Sequence, residues 1–147
     1  MNVTDSTEWL IDTNILVYAE NNTEPKHSQA VEVLSKCWEK KKTYAVSLQN
    51  LGEFVSVATR KTETHLSLSE AKKIVQRIIL FNNWHKLLPT QGTLLRAIDL
   101  SSTYRINFWD AMIAAVMIEN GINKIISEDN SFKQIPGIIV ENPFEKK

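Results

Sequence analysis

Residues 8–14, Glu8-Trp9-Leu10-Ile11-Asp12-Thr13-Asn14, carry a short apolar run out of a polar start and stop it on a polar pair. Such a run reads as a buried strand ending at Asp12. The same unit recurs outward from it. Thr23-Glu24-Pro25 is a helix-start signal with Pro in the first turn, and Ala30, Val31, Leu34, Cys37 and Trp38 follow at helical spacing. Lys40-Lys41-Lys42 place cations at that helix's C-terminal end, where the dipole favours them. Residues 43–46 form a second strand, and Ser47 caps a helix with the apolar face Leu51, Phe54, Val55 and Ala58, ending at Arg60-Lys61. Ser67-Leu68-Ser69-Glu70 has capping-box spacing ahead of the stripe Ala71, Ile74, Val75, Ile78 and Ile79. Residues 84–88 make a third strand stopped by Pro89, and 90–104 a further helix. Asn107 caps a helix through Ala111, Met112, Ala114, Ala115 and Ile118, which Gly121 stops. The Ile-rich stretches 123–127 and 137–140 bring the total to about five strands. Strands and helices alternate from end to end, apart from two consecutive helices in residues 47–81. That order predicts an α/β domain with a mainly parallel central sheet flanked by helices on both faces.

The chain has 147 residues, 43% hydrophobic and 23% charged, which fits one domain, 1–147, with one sizeable core. Four Gly and four Pro exclude a collagenous or low-complexity chain, and the single Cys37 excludes a disulfide framework. Cys37 lies on a helical core stripe and reads as packing. No apolar run reaches the ~20 residues that cross a bilayer. The first fifteen residues hold Asp5, Glu8 and Asp12 without a Lys or Arg, unlike a signal peptide. A soluble, reducing, cytoplasmic setting is expected, with no membrane partner.

Seventeen Lys+Arg against seventeen Asp+Glu give zero net charge, which argues at first sight against nucleic acid. The sum hides a segregation. Residues 1–35 hold one base against six acids (−5), 36–105 twelve against five (+7), and 106–147 four against six (−2). A basic middle segment is therefore offset by acids gathered elsewhere.

Ligands of an open α/β sheet bind outside the carboxyl ends of its strands. Asp12 ends the first strand, Asp110 lies in the first turn of a helix, and Asp129 comes two residues after a strand end at Ser127. Glu53 lies in the second turn of the helix that leaves strand two. Each acid alone has a plainer explanation: a turn after a strand, a helix-dipole partner, a loop, a solvated helix position. Together they place four carboxylates from four segments at one rim, three of them within the apolar flanks Leu10-Ile11-Asp12, Leu51-Gly52-Glu53-Phe54 and Phe108-Trp109-Asp110-Ala111. Four packed anions repel and are driven toward protonation unless hard divalent cations hold them.

At these residues the sequence resembles a known family. Ile11-Asp12-Thr13-Asn14-Ile15, Glu53 in Leu51-Gly52-Glu53-Phe54, Asp110 in Trp109-Asp110-Ala111-Met112-Ile113-Ala114-Ala115, and Ser127-Glu128-Asp129 resemble the four signatures of PIN-domain nucleases. The layout is most similar to VapC-type toxins of bacterial toxin–antitoxin pairs, and Asn142-Pro143-Phe144 resembles the ending of one subgroup. The resemblance implies hydrolysis of RNA phosphodiesters with Mg²⁺ or Mn²⁺. It implies Asp12 and Asp110 as direct metal ligands, with Glu53 and Asp129 completing the site directly or through water. Thr13, Asn14 and Ser127 would orient the carboxylates or a bound water, and Glu128 either shares in the site or only adjoins Asp129. The same resemblance implies a small antitoxin that covers the catalytic groove, for which the helices of residues 47–81 are candidates, and a homodimer. Metal chemistry needs no His base, and His27, His65 and His85 lie in polar surroundings away from the acidic motifs. Trp9, Trp38 and Trp84 read as core; Trp109, beside Asp110, is either core or a base-stacking platform.

Three alternatives are weighed against this reading. An Asp-nucleophile phosphatase similar to the haloacid dehalogenases requires Asp-x-Asp, and here the third position is Asn14. A phosphorylatable receiver expects adjacent acids after strand one, which Thr13-Asn14 does not supply. A PIN-fold binding module without catalysis would not need all four acids. With those four assigned to metal, the remaining thirteen acids face seventeen bases, and Lys40-Lys41-Lys42, Arg60-Lys61 and Lys72-Lys73 become either phosphate contacts or solvated helix ends.

Overall fold

Alternation within each strand builds the core. In the computed structural model, which describes residues 8–60 and 66–145, Leu10 packs to one side of the sheet and Ile11 to the other. Ala45 and Val46, and Ile125 and Ile126, divide in the same way. Strands buried on both faces need helices on both faces. The elements run β1 (Trp9–Ile11), α1 (Thr13–Tyr18), α2 (His27–Trp38), β2 (Tyr44–Ser47), α3 (Leu48–Ala58), α4 (Leu68–Leu80), β3 (Trp84–Leu87), α5 (Gln91–Tyr104), α6 (Phe108–Glu119), β4 (Lys124–Ile126) and β5 (Ile139–Glu141). A 3-10 turn, Asn130–Gln134, precedes β5. The five strands are all parallel, in the order β3-β2-β1-β4-β5. Apolar residues of α1, α2, α3 and α4 cover one face around Phe54, Tyr44 and Trp84, while α5, α6 and Phe132 cover the other. The expected architecture is the observed one.

Local chemistry sets most boundaries where the sequence put them. Ser47 and Asn50 close a capping box on α3, Ser67 and Glu70 one on α4, and Asn107 accepts the Trp109 amide at the start of α6. Gly121, at φ 72°, takes the left-handed turn that ends α6. Others differ: β5 runs Ile139–Glu141 rather than 137–140, and α3 ends at Ala58 rather than at Arg60-Lys61. The helix signalled by Thr23-Glu24-Pro25 begins at His27, because the Asn21 carboxamide accepts from the Thr23 amide and hydroxyl and folds residues 21–24 into a turn. Thr13-Asn14, read as a polar stop, is instead the first turn of α1, whose N-cap is Asp12.

The carboxyl ends of the strands point to one edge, and Lys40, Lys41 and Lys42 lie just before β2, at the opposite edge. They are helix-end cations there, not groups lining the acidic rim. Lys61 and His65 lie outside the described residues. Among the described residues no helix is long and apolar enough to cross a membrane.

Candidate active site

Asp12 stands where β1 meets α1. Its Oδ1 accepts the Thr13 amide at 2.8 Å, and its Oδ2 accepts the Ser127 hydroxyl at 2.6 Å. The carboxamides of Asn14 and Asn50 approach it at 3.4 Å each. Burial disfavours the anion and lifts the Asp12 pKa from 3.8 to about 6. The Ser127 and Thr13 hydrogen bonds oppose that shift, while the charges of Glu53 and Asp129 add to it.

Ser127 and Asn50 hold this corner together. Ser127, at the end of β4 and fully buried, donates to Asp12 while accepting the Asp129 amide at 2.9 Å and the Asn14 amide group at 3.3 Å. One hydroxyl thus fixes Asp12, Asn14 and the loop carrying Asp129. Asn50 is also fully buried; its Oδ1 accepts the Ser47 amide at 3.1 Å and its Nδ2 donates to Thr13 Oγ1 at 3.1 Å. The Asn14 Nδ2 faces two acceptors, which leaves its buried Oδ1 without a partner.

The opposite wall is looser. Glu53, in the second turn of α3, accepts from Gln49 Nε2 at 2.7 Å, and the same amide group donates to the Trp109 carbonyl on α6 at 3.0 Å. Asp110, in the first turn of α6, accepts the Ser131 hydroxyl at a long 3.4 Å and shares a side-chain hydrogen bond with Asp129. Burial raises its pKa from 3.8 to about 6, followed by the charges of Asp129 and Asp12. Asp129 caps the 3-10 turn through the Ser131 amide at 2.9 Å.

Asp12, Glu53, Asp110 and Asp129 all line one open cleft of about 340 Å³, together with Thr13 and Asn14. Glu128 does not line it. Tyr18 donates its phenol hydrogen to Glu128 Oε1, Lys26 Nζ pairs with Oε2 at 2.6 Å, and Lys26 lies 5.3 Å from each of the Tyr18 and Phe144 rings. Glu128 therefore ties the loop after β4 to α1 and to Lys26, and burial together with Glu128 holds the Tyr18 phenol well above its ordinary pKa. His27 contacts the Tyr18 carbonyl and His85 pairs with Glu8, so neither serves the cleft. Cys37 is fully buried, as expected of packing.

Among the described residues, no three His, Cys, Asp or Glu side chains close on one point as a ready-made metal cage. The donor set nonetheless suits one kind of ion. All four ionisable donors are carboxylates, and two are pushed toward neutrality by burial and mutual repulsion. An open cleft with few oxygen ligands per ion and room for water fits Mg²⁺ or Mn²⁺, which keep several waters, better than a fully protein-ligated site.

Asn50, Gln49 and Ser131 escaped the sequence reading. Asn50 alone left a trace, three residues after the capping Ser47.

The PIN domain sequence pattern matches residues 9–138. No curated protein sequence matches the chain. Among solved structures, VapC20 of Mycobacterium tuberculosis, described as a sarcin-ricin loop cleaving toxin, shares 21% identity over 84% of this chain and 92% of its own, with a TM-score of 0.67. VapBC2 of Rickettsia felis, bound to a promoter DNA fragment, shares 21% over 92% and 98%, with a TM-score of 0.63. VapBC-1 of nontypeable Haemophilus influenzae shares 14% over 94% and 99%, with a TM-score of 0.64. At such identities the likeness is one of fold. The family pattern itself runs from β1 to the threshold of β5 and takes in all four carboxylates of the cleft: the chain belongs to the PIN domain family.

Proposed function

We propose that this chain is an endoribonuclease dependent on Mg²⁺ or Mn²⁺, acting as the toxin of a toxin–antitoxin pair. The observation that carries the reading is the gathering of Asp12, Glu53, Asp110 and Asp129 around one cleft that, among the described residues, no Lys or Arg lines. Such a cleft repels a phosphodiester, so substrate approach requires cations within it. PIN domains are nucleases, and the solved structures of similar fold include a toxin described as sarcin-ricin loop cleaving and a toxin–antitoxin complex.

Asp12 and Asp110 would hold the ions directly, with Glu53 and Asp129 completing the site. When bound, the metal lowers the pKa of water and offsets charge on the phosphoryl oxygens. The chain's own part is positioning. Ser127, Thr13 and Asn50 lock Asp12, Gln49 steers Glu53, and Asn14 bridges Asp12 and Ser127 through its amide group. The water oxygen bonds to phosphorus as one P–O ester bond breaks, and the proton the water gives up ends on the departing oxygen, leaving one strand with a terminal phosphate and one with a terminal hydroxyl.

For the antitoxin, the supporting feature is an apolar cleft of about 240 Å³ between α2 and α4, lined by Leu34, Trp38, Ile74 and Ile78; it shares no lining residue with the carboxylate cleft, so it would anchor the partner beside the catalytic groove rather than within it. It draws on α2 as well as on residues 47–81. A homodimer is the expected assembly.

The test is cleavage of end-labelled RNA by the purified protein with Mg²⁺ or Mn²⁺ and with EDTA. Cleavage is expected only with metal, and Asp12→Asn and Asp110→Asn should each lower it by roughly 10³-fold or more while remaining folded. Cleavage by Asp110→Asn at the parent rate sinks the assignment.

A further inference from the structure

Trp109 is the one aromatic residue among the exposed large hydrophobic side chains of the described residues, at 59% exposure, whereas Trp84 is fully buried. Its backbone is held on both sides of the residue and its ring at one side. The Asn107 side chain caps its amide at 2.9 Å, Gln49 holds its carbonyl, and the ring of Phe108, itself packed on the core, meets the indole at 5.1 Å and 73°. A near-perpendicular contact takes up an edge or one face and leaves a broad apolar surface in water. An isolated exposed side chain needs no explanation, but this one borders a second open cleft.

That cleft, about 650 Å³, lies between α3 and α6 and shares Glu53 and Asp110 with the carboxylate cleft. Its α3 wall includes Gly52. A Cβ added there would meet nothing within 4 Å, and no left-handed backbone requires glycine at this position. Glycine inside a helix costs roughly 0.5–1 kcal/mol relative to alanine, and no packing constraint accounts for it here. What it does is leave the cleft unobstructed. Gln49 and Asn107, also on the lining, place polar carboxamides around the aromatic surface. An aromatic face, polar groups at its margin and direct continuity with the phosphate-cutting carboxylates make a site for a flat heteroaromatic ring joined to a phosphodiester.

Resting on the ribonuclease reading, we propose that Trp109 is a stacking platform for one unpaired nucleobase of the RNA, lodged in the α3–α6 cleft that Gly52 keeps open. Only an unpaired base offers its face, so the substrate class is single-stranded or looped RNA. Stacking tolerates all four bases because each has a π-face.

The experiment is steady-state cleavage of a twelve-nucleotide, fluorophore-quencher, single-stranded RNA with Mn²⁺. Trp109→Ala should raise KM roughly 5- to 150-fold, the range for losing one base–aromatic stack, with kcat little changed. Trp109→Phe should recover most of that loss. Gly52→Leu should raise KM as well, although it removes no contact and its melting temperature should not fall. Abasic substitutions walked along the RNA should find one position whose penalty vanishes in Trp109→Ala. If the parent cleaves but Trp109→Ala keeps KM within about twofold, the stacking site is wrong and the ribonuclease reading stands. A fall in kcat at constant KM would make Trp109 a support for Asp110 and also overturn it. If the parent cuts no RNA, both fall.

Discussion

Asp12 is buried and receives hydrogen bonds from Thr13, Ser127, Asn14 and Asn50; across the same cleft Asp110 is half-buried, accepts a long one, at 3.4 Å, from Ser131 and meets the carboxyl of Asp129. Both carboxyls nonetheless reach a pKa of about 6. For Asp12, desolvation is large enough to override strong donors. For Asp110, moderate desolvation is reinforced by the unscreened charges of Asp129 and Asp12. Equal pKa values thus arise from a rigid wall at β1–β4 and a loosely held wall at α3–α6. A metal site benefits from both, one side preorganised and the other able to adjust as ion and substrate enter.

The largest effect that probes this contrast is on stability. Each carboxyl sits at about 6 in the folded chain against an ordinary 3.8, so between those values the folded state holds more protons than the unfolded one. Stability must fall as pH rises through about 6, and return on acidification. For metal-free protein in EDTA, urea unfolding should show about 1–3 kcal/mol gained from about pH 7.5 to about pH 5 for the pair. Asp110→Asn should gain about 1 kcal/mol at the higher pH and flatten the dependence. Asp12→Asn should instead lose about 1–2 kcal/mol, since its new NH₂ faces donors. An equal gain in both variants would mean the donors around Asp12 do not hold it.

Next in size is the contrast between two serines. Ser127→Ala removes the 2.6 Å donor to Asp12 and the acceptor for the Asp129 amide, inside a fully buried site. It should cost about 10- to 100-fold in metal-dependent cleavage, with Mn²⁺ affinity by calorimetry falling in parallel. Ser131→Ala, whose contact with Asp110 is long, should change cleavage by less than about threefold. The reverse ranking would put the rigid wall on the wrong side.

The sequence exposed the rigid frame better than the network that tunes it. Leu10, Ile11, Ile125 and Ile126 announce buried parallel strands because uninterrupted apolar runs need two covered faces. Asp12, Glu53 and Asp110 stood out because acids among such residues demand a reason, and Asp129 because it follows a strand end by two residues. The helix α1 was not legible. Thr13–Tyr18 is a six-residue segment with Thr, Ile and Val, poor helix formers, and it is held by the Asp12 cap and by Ile15 and Leu16 in the core. Nor could Asn50 and Gln49 be read as parts of the site. Their partners Asp12 and Trp109 lie 38 and 60 positions away, and only the folded sheet brings them near. The same holds for Glu128, whose partners Lys26 and Tyr18 lie 102 and 110 positions away and turn it from the cleft.

Gln49 and Asn50 offer the finest division between the two walls, since they are adjacent on α3 and serve opposite sides. Asn50→Ala empties a fully buried site and strands the Ser47 amide and the Thr13 hydroxyl, so it should lower stability by about 1–3 kcal/mol. Gln49 is half-buried, and water can replace its amide at both Glu53 and the Trp109 carbonyl. Gln49→Ala should therefore move stability by no more than about 1 kcal/mol. Its effect belongs to activity: Glu53 loses its nearest donor and α6 loses its tie to α3 at Trp109, which should cut cleavage by about tenfold or less. A Gln49→Ala variant that unfolds like Asn50→Ala would show the α3–α6 wall to be structural rather than adjustable. One that cleaves at the parent rate would show that Glu53 needs no steering and that the α3–α6 wall contributes its carboxylates without help from Gln49.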